Sequence, residues 1–403
     1  MMKKWARFIP DGMRDYILED VKRKRMIEQS LTKVFEKRGF WEICTPTMEF
    51  FDVFDTKEDN VPYEDLYKLF DAKGRILTLR HDMTTPISRV AATKLRGEQI
   101  PIKLYYNQNV YRSNDALDGK RDEITQCGVE ILGLSNYKAD VDVLVTAIEA
   151  LKSAVDGDFT IELGHIQFFK AIAEQLDTDQ ETIENIRSSI ERKNFAQVDS
   201  ILEEMDQNNP GVTAMKRLPR LFGGVDVLEE ARQLAPSQKA LDILQELQRI
   251  IDELTALGYG QYIGVDLGMV HHIGYYTGLI FRGYLAGSGE NCLAGGRYDH
   301  LSRNFGGDLP STGFAITVDS ILDTQQRTET EADVNTAPHS VIFYEDDCVR
   351  EAYQIYETIQ MTGRSCVISL YETFDEALAH AKALGAQMLY DVKKDKTEII
   401  NLL

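Results

Sequence analysis

Strand-like sequence lies on both sides of a long helical run from Gln167 to Leu257, so a sheet built from it must join segments far apart in the chain. Glu, Gln, Lys, Leu and Ile dominate that run, and loops break it at Asn208-Asn209-Pro210-Gly211 and Gly223-Gly224. Before it, Ile17, Val21, Ile27, Leu31, Val34 and Phe35 recur near a 3.6-residue period, which predicts an amphipathic helix over 16–38 that stops at Gly39. Phe40 to Ile43 reads as extended and ends at the Thr45-Pro46 bend. Two hairpins follow: Leu66–Phe70 with Arg75–Leu79, and Lys103–Arg112 with Glu123–Leu132. Beyond the helical run, Gln261–Gly268 and Tyr275–Gly283 return to strand character, and the glycine-rich 286–296 stretch leads to a helix predicted near Gly313.

The 403 residues are enough for two or three domains. The expected division is a split sheet domain, 1–166 with 258–322, around an all-helical insertion at 167–257. Residues 323–338 have almost no large apolar side chains and read as a linker. Residues 339–403 alternate strand and helix patterns, which predicts a small α/β domain.

The net charge of −20 opposes binding to a phosphate backbone over any broad surface. Cys44, Cys127, Cys292, Cys348 and Cys366 have no metal-ligand spacing with the histidines and are expected to be reduced, buried thiols. There is no secretory pattern near the start and no apolar run long enough to span a bilayer, so a cytoplasmic location is expected, without membrane contact.

Alternation along Ile124–Leu132 puts Ile124, Gln126, Gly128 and Glu130 on one face and Cys127, Val129 and Ile131 on the other. The second face reads as core. On the first, the missing side chain of Gly128 predicts a gap between Gln126 and Glu130, which are roughly 13 Å apart along the strand. Arg112, Asp82, Thr84, Tyr275 and Tyr276 lie on neighbouring segments. Carboxylates suit an ammonium, Gln and Arg suit a carboxylate, and Tyr with Glu suits the two imidazole nitrogens.

These segments resemble a known family over nearly the whole chain. Phe40-Trp41-Glu42-Ile43-Cys44-Thr45-Pro46 is similar to the first motif of class II aminoacyl-tRNA synthetases. Val110-Tyr111-Arg112 and Gly119 to Glu130 resemble motif two of histidyl-tRNA synthetase. Gly264 to Gly278 resembles its histidine-specific segment, R-G-L-D-Y-Y. Ala294-Gly295-Gly296-Arg297-Tyr298-Asp299 and Pro310-Ser311-Thr312-Gly313-Phe314-Ala315 resemble its third-motif region. The resemblance implies an α+β fold, a class II synthetase-like antiparallel sheet flanked by helices. It also implies a histidine pocket of Asp82, Thr84, Arg112, Gln126, Glu130, Tyr275 and Tyr276.

Four positions depart from the synthetase pattern. The family's R-x-E reads Arg112-Ser113-Asn114, its adenine-stacking Phe is Ile124, and the arginine of its histidine segment is His271. The motif-three arginine falls on Ser320. Losing two arginines that face phosphate charge lowers adenylation by on the order of 10⁴. A structural or pocket-edge role suits His271 and His272 better than a catalytic one. Residues 339–403 carry 6 basic and 11 acidic side chains, the wrong sign for gripping RNA.

A histidyl-tRNA synthetase-like body without these groups resembles the ATP phosphoribosyltransferase regulatory subunits. That resemblance implies a chain without chemistry of its own, needing no cofactor or metal and contacting no nucleic acid. Its expected partners are a short-form catalytic subunit, L-histidine, and a second copy through the motif-one region within a larger hetero-oligomer. The alternatives are an active histidyl-tRNA synthetase and a free-standing amino-acid or tRNA binding module.

Overall fold

Residues 5–55, 61–114, 120–270, 275–327 and 337–402 are described in the structure, a computed structural model. The chain divides into two compact units, 1–331 and 332–403.

The larger unit is organised by a nine-stranded sheet. Its spatial order is Trp41–Glu42, Ile102–Tyr111, Glu123–Leu132, Ser311–Thr317, Asn291–Arg297, Leu279–Leu285, Phe159–His165, Ile263–Asp266 and Phe222–Gly223. Neighbours are antiparallel, except that Trp41–Glu42 runs parallel to Ile102–Tyr111 and Phe159–His165 parallel to Ile263–Asp266. Segments from before and after the helical run therefore meet at the centre of one sheet, as the split pattern requires. The two predicted hairpins are present, with Glu123–Leu132 paired along the whole of Ile102–Tyr111.

One face of this sheet is dry. Cys127, Val129, Phe281 and Phe314 pack against Ile27, Leu31 and Phe35 of the helix Leu18–Lys37 and Val143, Leu144 and Ile148 of the helix Tyr137–Ala154. The first helix has Glu19 and Asp20 in its opening turn, where the helix dipole favours acids, and the chain leaves it through Gly39 at φ 79°. The side chain of Asn136 caps the second.

Helices Ile166–Ala173, Gln180–Glu191, Phe195–Glu203, Pro210–Arg217, Val227–Leu234 and Gln238–Ala256 make up the central run. Their buried residues, including Ile186, Leu202, Leu244 and Leu247, belong to the same hydrophobic cluster as the sheet. The run is not wholly helical: Phe222–Gly223 pairs with Val265 and Asp266 at the sheet edge.

Three further expectations are corrected. Gly313 does not begin a helix. It lies in the strand Ser311–Thr317, and the helix starts at Val318. Glycine is needed there for close approach between strands, which local sequence reads as a break. That helix continues to Arg327, inside the expected linker. Asp323 bonds Arg14 and Arg121, and Gln326 donates to Asp20 at 2.6 Å, which holds its last turns. Of the five cysteines, all free, Cys44 is exposed rather than buried.

In the smaller unit, Cys366–Ile368, Ser340–Tyr344 and Met388–Lys393 are parallel, and Lys396–Asn401 adds an antiparallel edge. Alternate residues of Ser340–Tyr344 pack against the helix Phe374–Ala383 on one face and Val349–Met361 on the other. This is the predicted α/β alternation.

A buried ion pair ties the larger unit together. Arg297 donates to Asp140 at 2.7 Å and to the carbonyls of Leu134 and Asn136, with the two side chains 8% and 2% exposed. Arg297→Ala strands the Asp140 charge, and a loss of about 3–5 kcal/mol is expected in urea unfolding. Arg303→Ala, at an exposed pair with Asp308, is expected to change little. Equal midpoints for the two variants would remove this pair from the account.

Candidate ligand pocket

The wet face of the sheet owes its shape to glycine. Glu130, Gly313, Gly296, Ile280 and Gly164 stand opposite one another across five adjacent strands. A Cβ on Gly313 would overlap the Glu130 carboxylate, and one on Gly296 would meet the Tyr276 ring at 2.7 Å. The row of glycines is a trench into which larger side chains lean from both ends.

All seven residues singled out from the sequence line one cavity here: Asp82, Thr84, Arg112, Gln126, Glu130, Tyr275 and Tyr276. Its volume is about 80 Å³, which at ~10–15 Å³ per water admits a handful of solvent-sized atoms. The helix Thr84–Thr93 places Thr84 at its start, and Asp82 just before it accepts the Thr85 backbone N–H at 2.7 Å. The strand Ile102–Tyr111 delivers Arg112 at its end, and Glu123–Leu132 supplies Gln126 and Glu130.

The expected gap over Gly128 is filled. Tyr106, its direct partner on the neighbouring strand, puts its phenol where a Gly128 side chain would stand. Tyr106 and Tyr298 are lining residues that reasoning from the sequence missed. The hairpin register was the available signal for Tyr106, and Tyr298 sits within the quoted Gly295-Gly296-Arg297-Tyr298 run.

Glu130 is the electrostatic centre. Thr84 Oγ1 donates to one carboxylate oxygen at 2.8 Å, and the Tyr298 hydroxyl donates to the other. Burial pushes its pKa up to about 8, although both hydroxyls oppose the rise. Burial also raises Asp82, against hydrogen bonds from Thr85 and the attraction of Arg112. Tyr276 is raised by burial, with Tyr275 hydrogen-bonding its hydroxyl, so it remains an O–H donor. The cavity thus offers two carboxyls, phenol hydroxyls, an amide and one guanidinium, a set matched to a small molecule with both ammonium and carboxylate groups. Among the described residues, no group of three or more His, Cys, Asp or Glu is placed to hold a metal ion.

The departing positions have other occupations. Asn114 donates to the carbonyls of Arg112 and Arg121 and to Asp122, closing its own loop. Ile124 packs against the apolar cluster of Met83, Ile87 and Val110. Ser320 lines a separate surface hollow with Glu290 and Asp323. His271 and His272 lie outside the described residues. No local signal marks Arg121, a motif-two cation, as already engaged. It donates to Asp323 at 2.7 Å, lies 3.5 Å from Asp319 and also bonds the Tyr16 hydroxyl.

Residues 12–321 match the family model described as histidyl-tRNA synthetase. An ATP phosphoribosyltransferase regulatory subunit of Clostridium kluyveri is 39% identical over 390 residues, covering 96% of this chain and all of the relative. Its counterpart in Bacillus mycoides is 39% identical over 396 residues, covering 98% of this chain and 94% of that one. A crystal structure of an ATP phosphoribosyltransferase regulatory subunit/histidyl-tRNA synthetase from Bacillus halodurans C superposes with a TM-score of 0.86 at 29% identity, over 97% and 99% of the two chains. Histidyl-tRNA synthetase from Nostoc sp. PCC 7120 shares the fold, with a TM-score of 0.82 at 19% identity over 98% and 97% of the chains. The chain belongs to the family of ATP phosphoribosyltransferase regulatory subunits, built on a histidyl-tRNA synthetase-like body.

Proposed function

We propose that this chain is a non-catalytic subunit that activates a separate short-form ATP phosphoribosyltransferase and reports free histidine to it. The observation that carries the reading is the convergence of the seven polar side chains on one small cavity, while the cations a nucleotide needs are absent or already paired. In this reading Glu130 and Tyr276 take the imidazole. Asp82, Thr84 and Gln126 take the α-ammonium and, with Arg112, part of the carboxylate.

The reaction served joins ATP to phosphoribosyl pyrophosphate and releases pyrophosphate, and its chemistry belongs to the partner. Histidine inhibits it by binding more tightly to an assembly state in which the partner holds substrates or the transition state less well. A ligand with equal affinity for both states shifts nothing.

A homodimer through the motif-one region fits the exposed apolar side chains there. Trp41 is 79% exposed and Phe70 74%, with Met48, Phe50 and Ile76 also open to solvent. Such a surface favours a protein contact over solvent. No helix among the described residues is long and apolar enough to cross a membrane, and the reading assigns the complex to the cytoplasm. The acidic smaller unit is assigned no part in anticodon recognition.

Mixing experiments test the role. Adding the chain to the short-form catalytic subunit is expected to raise turnover, while the chain alone supports no histidine-dependent exchange of pyrophosphate into ATP. Exchange by the isolated chain would overturn the reading in favour of an active synthetase. Unchanged turnover would favour a free-standing binding module.

Calorimetry of the chain or its complex is expected to detect L-histidine binding, weakened at least about tenfold by Glu130→Ala, equivalent to ~1.4 kcal/mol. No heat from either preparation would reject the sensor role.

Glu130 also gives a pH signature in the free chain. Its carboxyl rises from an ordinary 4.5 to about 8 on folding, so the folded state retains a proton that the unfolded state releases. The resulting stabilisation is complete below pH 4.5 and is lost as pH climbs through 8. Glu130→Gln removes this dependence. Its stability relative to the parent is expected to improve by up to about 1.4 kcal/mol per pH unit across that window. Parallel melting profiles at several pH values would show that the carboxyl does not titrate in this way.

A further inference from the structure

A second cavity, of about 440 Å³, lies between the far end of the main sheet and the helical segment. It opens on the same face as the first pocket. Along Leu279–Leu285, Phe281 and Leu285 enter the dry core while Ile280 packs beside Tyr276, so Arg282 and Tyr284 share the wet side with Ile280. Met269 contributes to both regions, lining this cavity and packing in the cluster with Tyr275 and Tyr276.

Five charged side chains line it; one of them, Glu191, is held by Arg187 at 2.9 Å, and the other four meet across the space. Glu162 stands directly opposite Arg282 on paired strands, Asp266 comes from the next strand, and Lys193 follows the helix Gln180–Glu191 in a left-handed conformation at φ 56°. Among the described residues none of the four is in an ion pair. Among the described residues Asp266 accepts the Gly268 backbone N–H, at 2.9 Å, and Arg282 bonds the Tyr284 hydroxyl. Burial raises both carboxyls, and Arg282 and Lys193 pull each back, so their fields act across the space without closing it. Such unpaired, partly desolvated charges are costly unless something of opposite sign meets them. The remaining walls include Ile190, Phe195 and Phe222, apolar surfaces in a lining that is otherwise largely polar, and the volume is in the size range of metabolite pockets.

We propose that this cavity binds a zwitterionic amino acid with a flat, apolar side chain. Its α-ammonium lies between Glu162 and Asp266, its α-carboxylate on Arg282 with Lys193, and its ring against Phe195 and Phe222. One acidic and one basic half explain why both signs are present unpaired. A simple anion or a simple cation satisfies only one of them.

The test is calorimetry on the full chain carrying Glu130→Ala, which weakens the first pocket so that the two sites are read separately. L-phenylalanine and L-histidine are the probes. One saturable site per chain is expected for at least one of them, weakened at least about tenfold by Arg282→Gln or Glu162→Gln. Phenethylamine and 3-phenylpropionate, each lacking one charge, are expected to bind at least about tenfold more weakly than L-phenylalanine. Lys193→Ala, on an exposed loop, supplies a variant that keeps the fold and is expected to lose affinity several-fold. Absence of saturable binding by either amino acid up to about 10 mM, or binding indifferent to all three substitutions, would overturn the assignment. The part of L-histidine binding to the unsubstituted chain that Glu130→Ala removes, and Arg282→Gln does not, reports the first pocket independently.

Discussion

A carboxyl group buried inside a sheet sets the terms for the rest of this molecule. Glu130 has no solvent to bond its oxygens, and what satisfies them is two hydroxyls, from Thr84 and Tyr298, that arrive from distant parts of the chain. Leaving such a group without partners costs several kcal/mol by ordinary transfer arguments. Space for it exists only because the opposing strand carries glycine at 313. The long helical run, the split sheet and the return of the chain after residue 257 all serve to bring that glycine, and Tyr298, beside a strand formed early in the sequence.

Much of this was legible from residue order alone. The alternation along Ile124–Leu132 assigned the dry and wet faces, and Cys127, Val129 and Ile131 indeed enter the core. Helix and hairpin boundaries fell close to the observed ones because capping residues, glycine stops and turn chemistry are local signals. What failed was non-local. Gly313 read as a helix start because nothing nearby reveals that a carboxylate from 183 residues away needs the room. Tyr106 was overlooked because its reason for being large is the absence of a side chain across the strand at Gly128. Cys44 read as core by residue type alone, although the local bend leaves it exposed and within 3.0 Å of the Gln108 amide.

The family's motifs also had to be read by what their side chains touch. Arg297 and Tyr298 are adjacent in one motif yet do different work. Arg297 turns toward Asp140 and locks the helix Tyr137–Ala154, while Tyr298 turns toward Glu130 and completes the pocket. One strand end thus braces a helix on one face and lines the cavity on the other.

The clamp on Arg121 bears on what an added cation in this region would meet. Asp319 and Asp323 sit one helical turn apart and hold that guanidinium together with Arg14, Lys24 and Tyr16. An arginine restored at position 320 would enter beside these acids and be captured by them before it met any triphosphate. A cation is therefore placed freely at this helix only if the acids at 319 and 323 are changed with it. The helix thus acts as a sink for positive charge, and a single substitution there is read through its neighbours.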